Sequence, residues 1–136
     1  MIILFDTDVL LDVALDRTPH AGPASQLLDC CEQGSIRGFV AWHSVSNFYY
    51  LVSPVRGKED TRRFLLELIE FIEVAPAATD GLRYAARLAV RDFEDAMQIA
   101  AAAACRAEAI ATRNARDYRR SPIRAATPVA LLREVR

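Results

Sequence analysis

The stretch Ile2-Ile3-Leu4-Phe5-Asp6-Thr7-Asp8 begins with four apolar residues and stops on a carboxylate. A run that short and that uniformly apolar predicts a strand buried on both faces, as in a parallel sheet covered by helices. Open sheets of that kind bind ligands beyond the carboxyl ends of their strands, so an acid at the exit of the strand marks a candidate site. Outward from this stretch, the β-branched and aromatic run at 38–42 predicts a second strand. Residues 71–74 predict a third, residues 107–111 a fourth, and residues 126–129 a weak fifth.

Helical patterns fill the intervals. Over about 19–33, Ala21, Ala24, Leu27, Leu28 and Cys31 share a face, and Gly34 stands where a helix C-cap is expected. Ser44 or Ser46 is placed to cap a helix carrying Phe48, Tyr49, Leu51 and Val52, which Pro54 should end. Another begins near Glu59, and two follow over about 80–91 and 93–106, the second Ala-rich and central to the core. The order β-α-β-α-α-β-α-α-β-α predicts a three-layer α/β/α sandwich around a mainly parallel central sheet.

With 136 residues, 52% of them hydrophobic, the chain fits one domain spanning 1–136 with a sizeable core, and disorder is excluded. Three cysteines, two of them adjacent (Cys30, Cys31), form neither a disulfide framework nor a zinc-ligand spacing, and with Cys105 they read as small buried residues. The longest apolar stretch falls well short of the roughly 20 residues a membrane span needs. The first residues lack the basic flank of a signal peptide, so a soluble cytoplasmic domain is expected.

Seventeen basic against 18 acidic side chains leave a net charge of −1, which excludes a uniformly basic nucleic-acid coat. The charges are nonetheless segregated. Residues 1–36 carry six acids against Arg17, whereas residues 106–124 carry six arginines against Glu108 and Asp117. Arg supplies every basic residue but Lys58, a bias that composition alone explains.

Three separated stretches deliver acids to the same sheet edge. Asp6 leaves the first strand, and Asp95 begins the Ala-rich helix at the rim of the core. Thr112-Arg113-Asn114-Ala115-Arg116-Asp117 follows the fourth strand. Asp8 and Asp12 read more simply as solvated acids compensating a helix dipole. Clustered carboxylates repel one another, and a cation is the usual means of holding them together. An oxygen-only set suits Mg²⁺ or Mn²⁺ rather than zinc, and such an ion opens phosphodiester hydrolysis as chemistry.

Phe5-Asp6-Thr7-Asp8-Val9-Leu10-Leu11-Asp12 resembles the opening of the PIN-domain ribonucleases. Ser44-Val45-Ser46-Asn47-Phe48-Tyr49-Tyr50-Leu51 looks like the second motif of that family. Asp92-Phe93-Glu94-Asp95-Ala96-Met97-Gln98 and Thr112-Arg113-Asn114-Ala115-Arg116-Asp117-Tyr118 match its later motifs, in order. The resemblance covers essentially the whole chain and extends to the VapC-like toxins of toxin–antitoxin pairs. It implies a metal-dependent endoribonuclease using Mg²⁺ or Mn²⁺, a homodimer, and an inhibitory antitoxin partner. Asp6, Asp95 and Asp117 are then the catalytic acids and metal-site positions. Asn114 lies in the same motif as Asp117, spacing leaves open which of the two faces the metal, and Asn47 is a further metal-site position. Asn47 stands where many members carry Glu; it keeps a carbonyl oxygen but no charge, which weakens a cation site.

An RNA substrate needs positive charge beside these acids, and Arg113, Arg116, Arg119 and Arg120 are the candidates for phosphate contacts. Tyr118 reads as a packing residue, His20 and His43 as structural or surface residues, and Trp42, Phe48, Tyr49 and Tyr50 as core and helix-packing residues. Two other readings compete. One is a binding or assembly module of the same fold whose metal site has decayed at Asn47. The other is a haloacid-dehalogenase-like phosphatase, which Asp6-Thr7-Asp8 also fits; it needs a later Lys, and the only lysine, Lys58, is badly placed.

Overall fold

The computed structural model describes residues 1–135. Its centre is a five-stranded sheet in the order β3-β2-β1-β4-β5: β1 (Ile2–Phe5), β2 (Arg37–Val40), β3 (Ile72–Val74), β4 (Ala109–Ala111) and β5 (Ala125–Ala126). Every pairing is parallel, so the sheet is wholly rather than mainly parallel. β1 is the middle strand, with Phe5 level with Val40 on one side and Ala111 on the other.

Strand alternation divides the core between two layers of helix. Ile3, Phe5, Val40, Ala109 and Ala111 face one side. There they meet α1 (Thr7–Ala14), α2 (Ala21–Glu32), α3 (Trp42–Arg56), α4 (Lys58–Leu68) and α7 (Pro128–Val135). Leu4, Phe39 and Ile110 face the other side, against Ile99, Ala101 and Ala102 of α6 (Phe93–Ala104). On that side α5 (Thr79–Arg87) packs on α6 through Ala85, Ala96 and Ala100, where small side chains allow close approach. The α/β/α sandwich expected from the sequence is therefore present.

Gly38 shows how tightly the layers close. A Cβ at this position would meet the Ile72 side chain, Cys31 Sγ at 2.7 Å and Phe5 Cε2 at 2.9 Å. At Gly34 the requirement is conformational: its φ of 82° lies in the left-handed region just beyond the last turn of α2.

Several local expectations are corrected. Trp42 belongs to the first turn of α3 rather than to a strand, and at 72% exposure it is no core residue. Tyr50 is likewise exposed, while Phe48 is fully buried. Neither serine caps α3, which starts after the extended residue Ala41; Ser44 lies inside it, and the helix runs two residues past Pro54. The fifth strand is Ala125–Ala126, and the terminal helix of the expected order is α7, Pro128–Val135, which takes residues 128 and 129 from that expected strand.

Candidate active site

Parallel pairing brings the carboxyl ends of β1, β2 and β4 to one edge, and Asp6 stands at its centre. Asp6 N donates to Ala111 O at 2.9 Å, extending the β1–β4 ladder one step, while the residue also acts as N-cap of α1. Both carboxylate oxygens are held. Oδ1 accepts from Thr7 N at 2.7 Å, and Oδ2 accepts from Thr112 Oγ1 and Tyr118 Oη, each at 2.9 Å. Burial raises the Asp6 pKa, and these hydrogen bonds oppose the rise. Burial and the neighbouring Asp6 charge push the Tyr118 phenol well above its ordinary value, so it remains protonated and a donor.

Asp8 is half buried rather than solvated. Its Oδ2 accepts from Arg113 N and Asn114 Nδ2, both at 3.2 Å, while Oδ1 is buried without a hydrogen-bond partner. Burial, then the charge of Asp6, pushes its pKa up to about 6. Asp12 departs furthest from expectation, for it is only 1% exposed. Arg113 Nε lies 2.8 Å from its Oδ2 and Arg17 Nη1 3.9 Å from its Oδ1. The Arg113 N–H is not aligned on the carboxylate, so charge rather than a directed hydrogen bond holds the pair.

Across the edge, Asp92 caps α6 by accepting from Asp95 N at 3.0 Å. Asp95 sits half buried in the first turn, and its pKa is pushed up to about 6 by burial and by the charges of Asp92, Asp6, Asp117 and Glu94. Asp117 lies in a short 3-10 helix, Ala115–Tyr118, after β4. Asp92, Asp95 and Asp117 line an open groove of about 950 Å³ together with Arg116, Arg119 and Arg120. The structure thus brings Asp6, Asp95 and Asp117 to one edge and sets three of the four nominated arginines beside them. Arg113 is instead engaged with Asp12, and Asn114 turns its amide nitrogen toward Asp8.

Asn47 is half buried on α3, one turn beyond His43 and Ser44 and so on the same face. Ser44 and Gln98 are fully buried, and Gln98 Nε2 donates to Ser44 Oγ at 2.6 Å, tying α6 to α3 beneath the acids. His43 faces Asp6 closely enough to feel its charge, although burial dominates and lowers its pKa. Asp8, Asp12, Gln98 and His43 were not among the nominated residues. The Asp-x-Asp spacing after a strand was a usable signal for Asp8; nothing local distinguishes a buried Asp12. Among the described residues no three His, Cys, Asp or Glu side chains are gathered closely enough to enclose an ion as they stand, so the acids form an open arc.

An α/β/α sandwich whose parallel strands present carboxylates along one edge, beside an arginine-lined groove, defines the class of acid-cluster α/β domains. A PIN-domain family model matches residues 2–116, and the chain belongs to the PIN-domain family. PIN domains are generally nucleases and usually employ divalent metal ions. This membership sets aside the phosphatase reading. Among solved structures, the chain is similar to one in the crystal structure of VapBC2 from Rickettsia felis bound to a DNA fragment from its promoter. The TM-score is 0.71 at 16% identity, covering 93% of this chain and 98% of that one, a likeness of fold. No curated protein matches the chain. Among the described residues no helix is long and apolar enough to cross a membrane.

Proposed function

We propose that this chain is a divalent-metal-dependent endoribonuclease that hydrolyses RNA phosphodiester bonds, and that it serves as the toxin of a toxin–antitoxin pair. The observation that carries the reading is the arc of Asp6, Asp95 and Asp117, acids close enough to raise the Asp95 pKa, with arginines beside them. Such an arc fits a hard cation. The donors are carboxylates, and the orphaned Asp8 Oδ1 adds a further buried oxygen without a partner. Asp6, Asp95 and Asp117 would hold Mg²⁺ or Mn²⁺. Asn47 adds an uncharged oxygen at most, and Asn114 acts more by bracing Asp8 than as a ligand. An open arc suits Mg²⁺, which keeps several waters and takes few carboxylates.

When bound, the cation supplies Lewis acidity, polarising a phosphoryl oxygen and acidifying water beside it. The remaining work falls to the chain. Thr7, Thr112 and Tyr118 fix the orientation of Asp6. Asp95, crowded by Asp92, Asp6, Asp117 and Glu94, is placed to hold the cation that relieves their mutual repulsion. Arg116, Arg119 and Arg120 hold the phosphates on either side of the one being cut. An inhibitory antitoxin is part of the same reading, supported by the fold likeness to a chain of VapBC2, and a second copy is proposed with it from the family resemblance alone.

The test is cleavage of a panel of single-stranded RNAs during Mg²⁺ and Mn²⁺ titration, with Asp6→Asn and Asp95→Asn alongside the native chain. Metal-dependent cleavage that both substitutions abolish is expected. Cleavage retained in both would trace the activity to a contaminant and defeat the assignment. An inert native chain that still binds RNA would favour the binding module to which Asn47 points.

A further inference from the structure

Resting on the nuclease reading, we infer that the exposed aromatic face of α3 is a base-stacking subsite for the single-stranded RNA whose phosphate lies at the acid arc. Trp42 and Tyr50 are 72% and 73% exposed, an extent of uncovered aromatic surface that the fold does not require. With Ser46 and Tyr49 they recur at helical spacing along one side of α3. Together with His43 and Arg62 these residues line a groove of about 550 Å³.

Three observations favour nucleobases over another occupant. The first is position: β2 lies beside β1 with Val40 level with Phe5, so Ala41 stands level with Asp6 and Trp42 one residue further out. His43, in the first turn of α3 directly after that strand end, lines the aromatic groove. The groove therefore starts at the same sheet edge as the acid arc, on the β2 side, while the arginine groove lies on the β4 side. The second is charge: Arg62 lies with its Cζ 5.9 Å from the Tyr49 ring centroid, a cation set against one of these aromatic rings. Aromatic platforms with interspersed basic groups hold single strands by stacking and phosphate contact. The third is geometry: Tyr49 and Tyr50 meet edge to face at 5.6 Å rather than stacked, and Tyr50 keeps 73% of its surface exposed beside that contact.

Trp42 is the only tryptophan in the chain, so its emission reports directly on the subsite. The full chain carrying Asp6→Asn, kept metal-free so that RNA stays intact, is titrated with a single-stranded oligoribonucleotide, its duplex, and an abasic backbone of equal length. Saturable quenching by the single strand, with the duplex and the abasic strand weaker, is expected. Trp42→Ala and Tyr50→Ala should each weaken binding about tenfold, followed by competition, and Trp42→Phe should retain most of it. Both positions are exposed, and circular dichroism checks that the variants fold. Equal quenching by the abasic strand, or unchanged affinity in Trp42→Ala and Tyr50→Ala, would overturn the proposal. So would quenching that follows protein concentration without RNA, which would make this face a contact between copies. If base-dependent quenching occurs while the native chain fails to cleave, the subsite stands and the nuclease reading falls. Normal cleavage without quenching gives the reverse.

Discussion

Asp12 and Arg113 show what one buried charge does to a site. Asp12 is sealed from water while Arg113 is about one-third exposed, so the two partners do not matter equally. Removing the arginine leaves a buried anion with only Arg17 at 3.9 Å, whereas removing the acid leaves a cation that can reach solvent. Arg113→Ala should therefore destabilise the fold by about 3 kcal/mol and Asp12→Asn by clearly less. Urea denaturation at neutral pH measures both, and the opposite ranking would show that the pair is not what holds the loop after β4. An arginine beside an acid-rich motif looks in sequence like a phosphate contact, because burial of its counter-ion 101 positions away leaves no local trace. Asp6 was legible for the converse reason: an acid that ends a four-residue apolar run has few structural uses.

The elements were legible where their patterns were long or sharply bounded. β1, with its uniformly apolar run, and α2, with Gly34 beyond its end, lie where the sequence places them. Trp42 was misread because an aromatic after Phe39-Val40-Ala41 continues a strand pattern, and only the turn of backbone at Ala41 starts the helix. The bounds of helix α7 are hidden by length, since eight residues show barely two turns of periodicity. The fit of β2 between neighbours leads to a prediction about Gly38, whose absent side chain admits Ile72, Cys31 and Phe5. Gly38→Ala should cost about 1–3 kcal/mol through overpacking, seen as a lower thermal midpoint, although its backbone suits any residue. An unchanged midpoint would mean that the layers have slack at this strand.

At the scale of the whole molecule, the acid arc ties stability to pH. Asp8 and Asp95 both titrate near 6 in the fold, against an ordinary value of 3.8, so the folded state binds their protons more tightly than the unfolded chain does. Their contribution is accordingly favourable below about pH 4 and is lost as pH rises through 6. Between pH 5 and 7.5 the metal-free protein should lose on the order of 1–2 kcal/mol, a figure reduced because Asp95 is largely solvent-screened. Chemical denaturation across that range in a chelator measures the loss, and Mg²⁺ should flatten the profile by supplying the missing positive charge; a flat profile without metal would contradict the arc. The hydrogen bond from Tyr118 to Asp6 spans 112 positions, and that from Thr112 spans 106. A chain emerging from the ribosome presents Asp6 and Thr7 long before Thr112 and Tyr118, the groups that hold the other carboxylate oxygen. Until residue 118 is free to fold back, the site has an acid without its full setting, so whatever chemistry this edge performs waits on the second half of the chain.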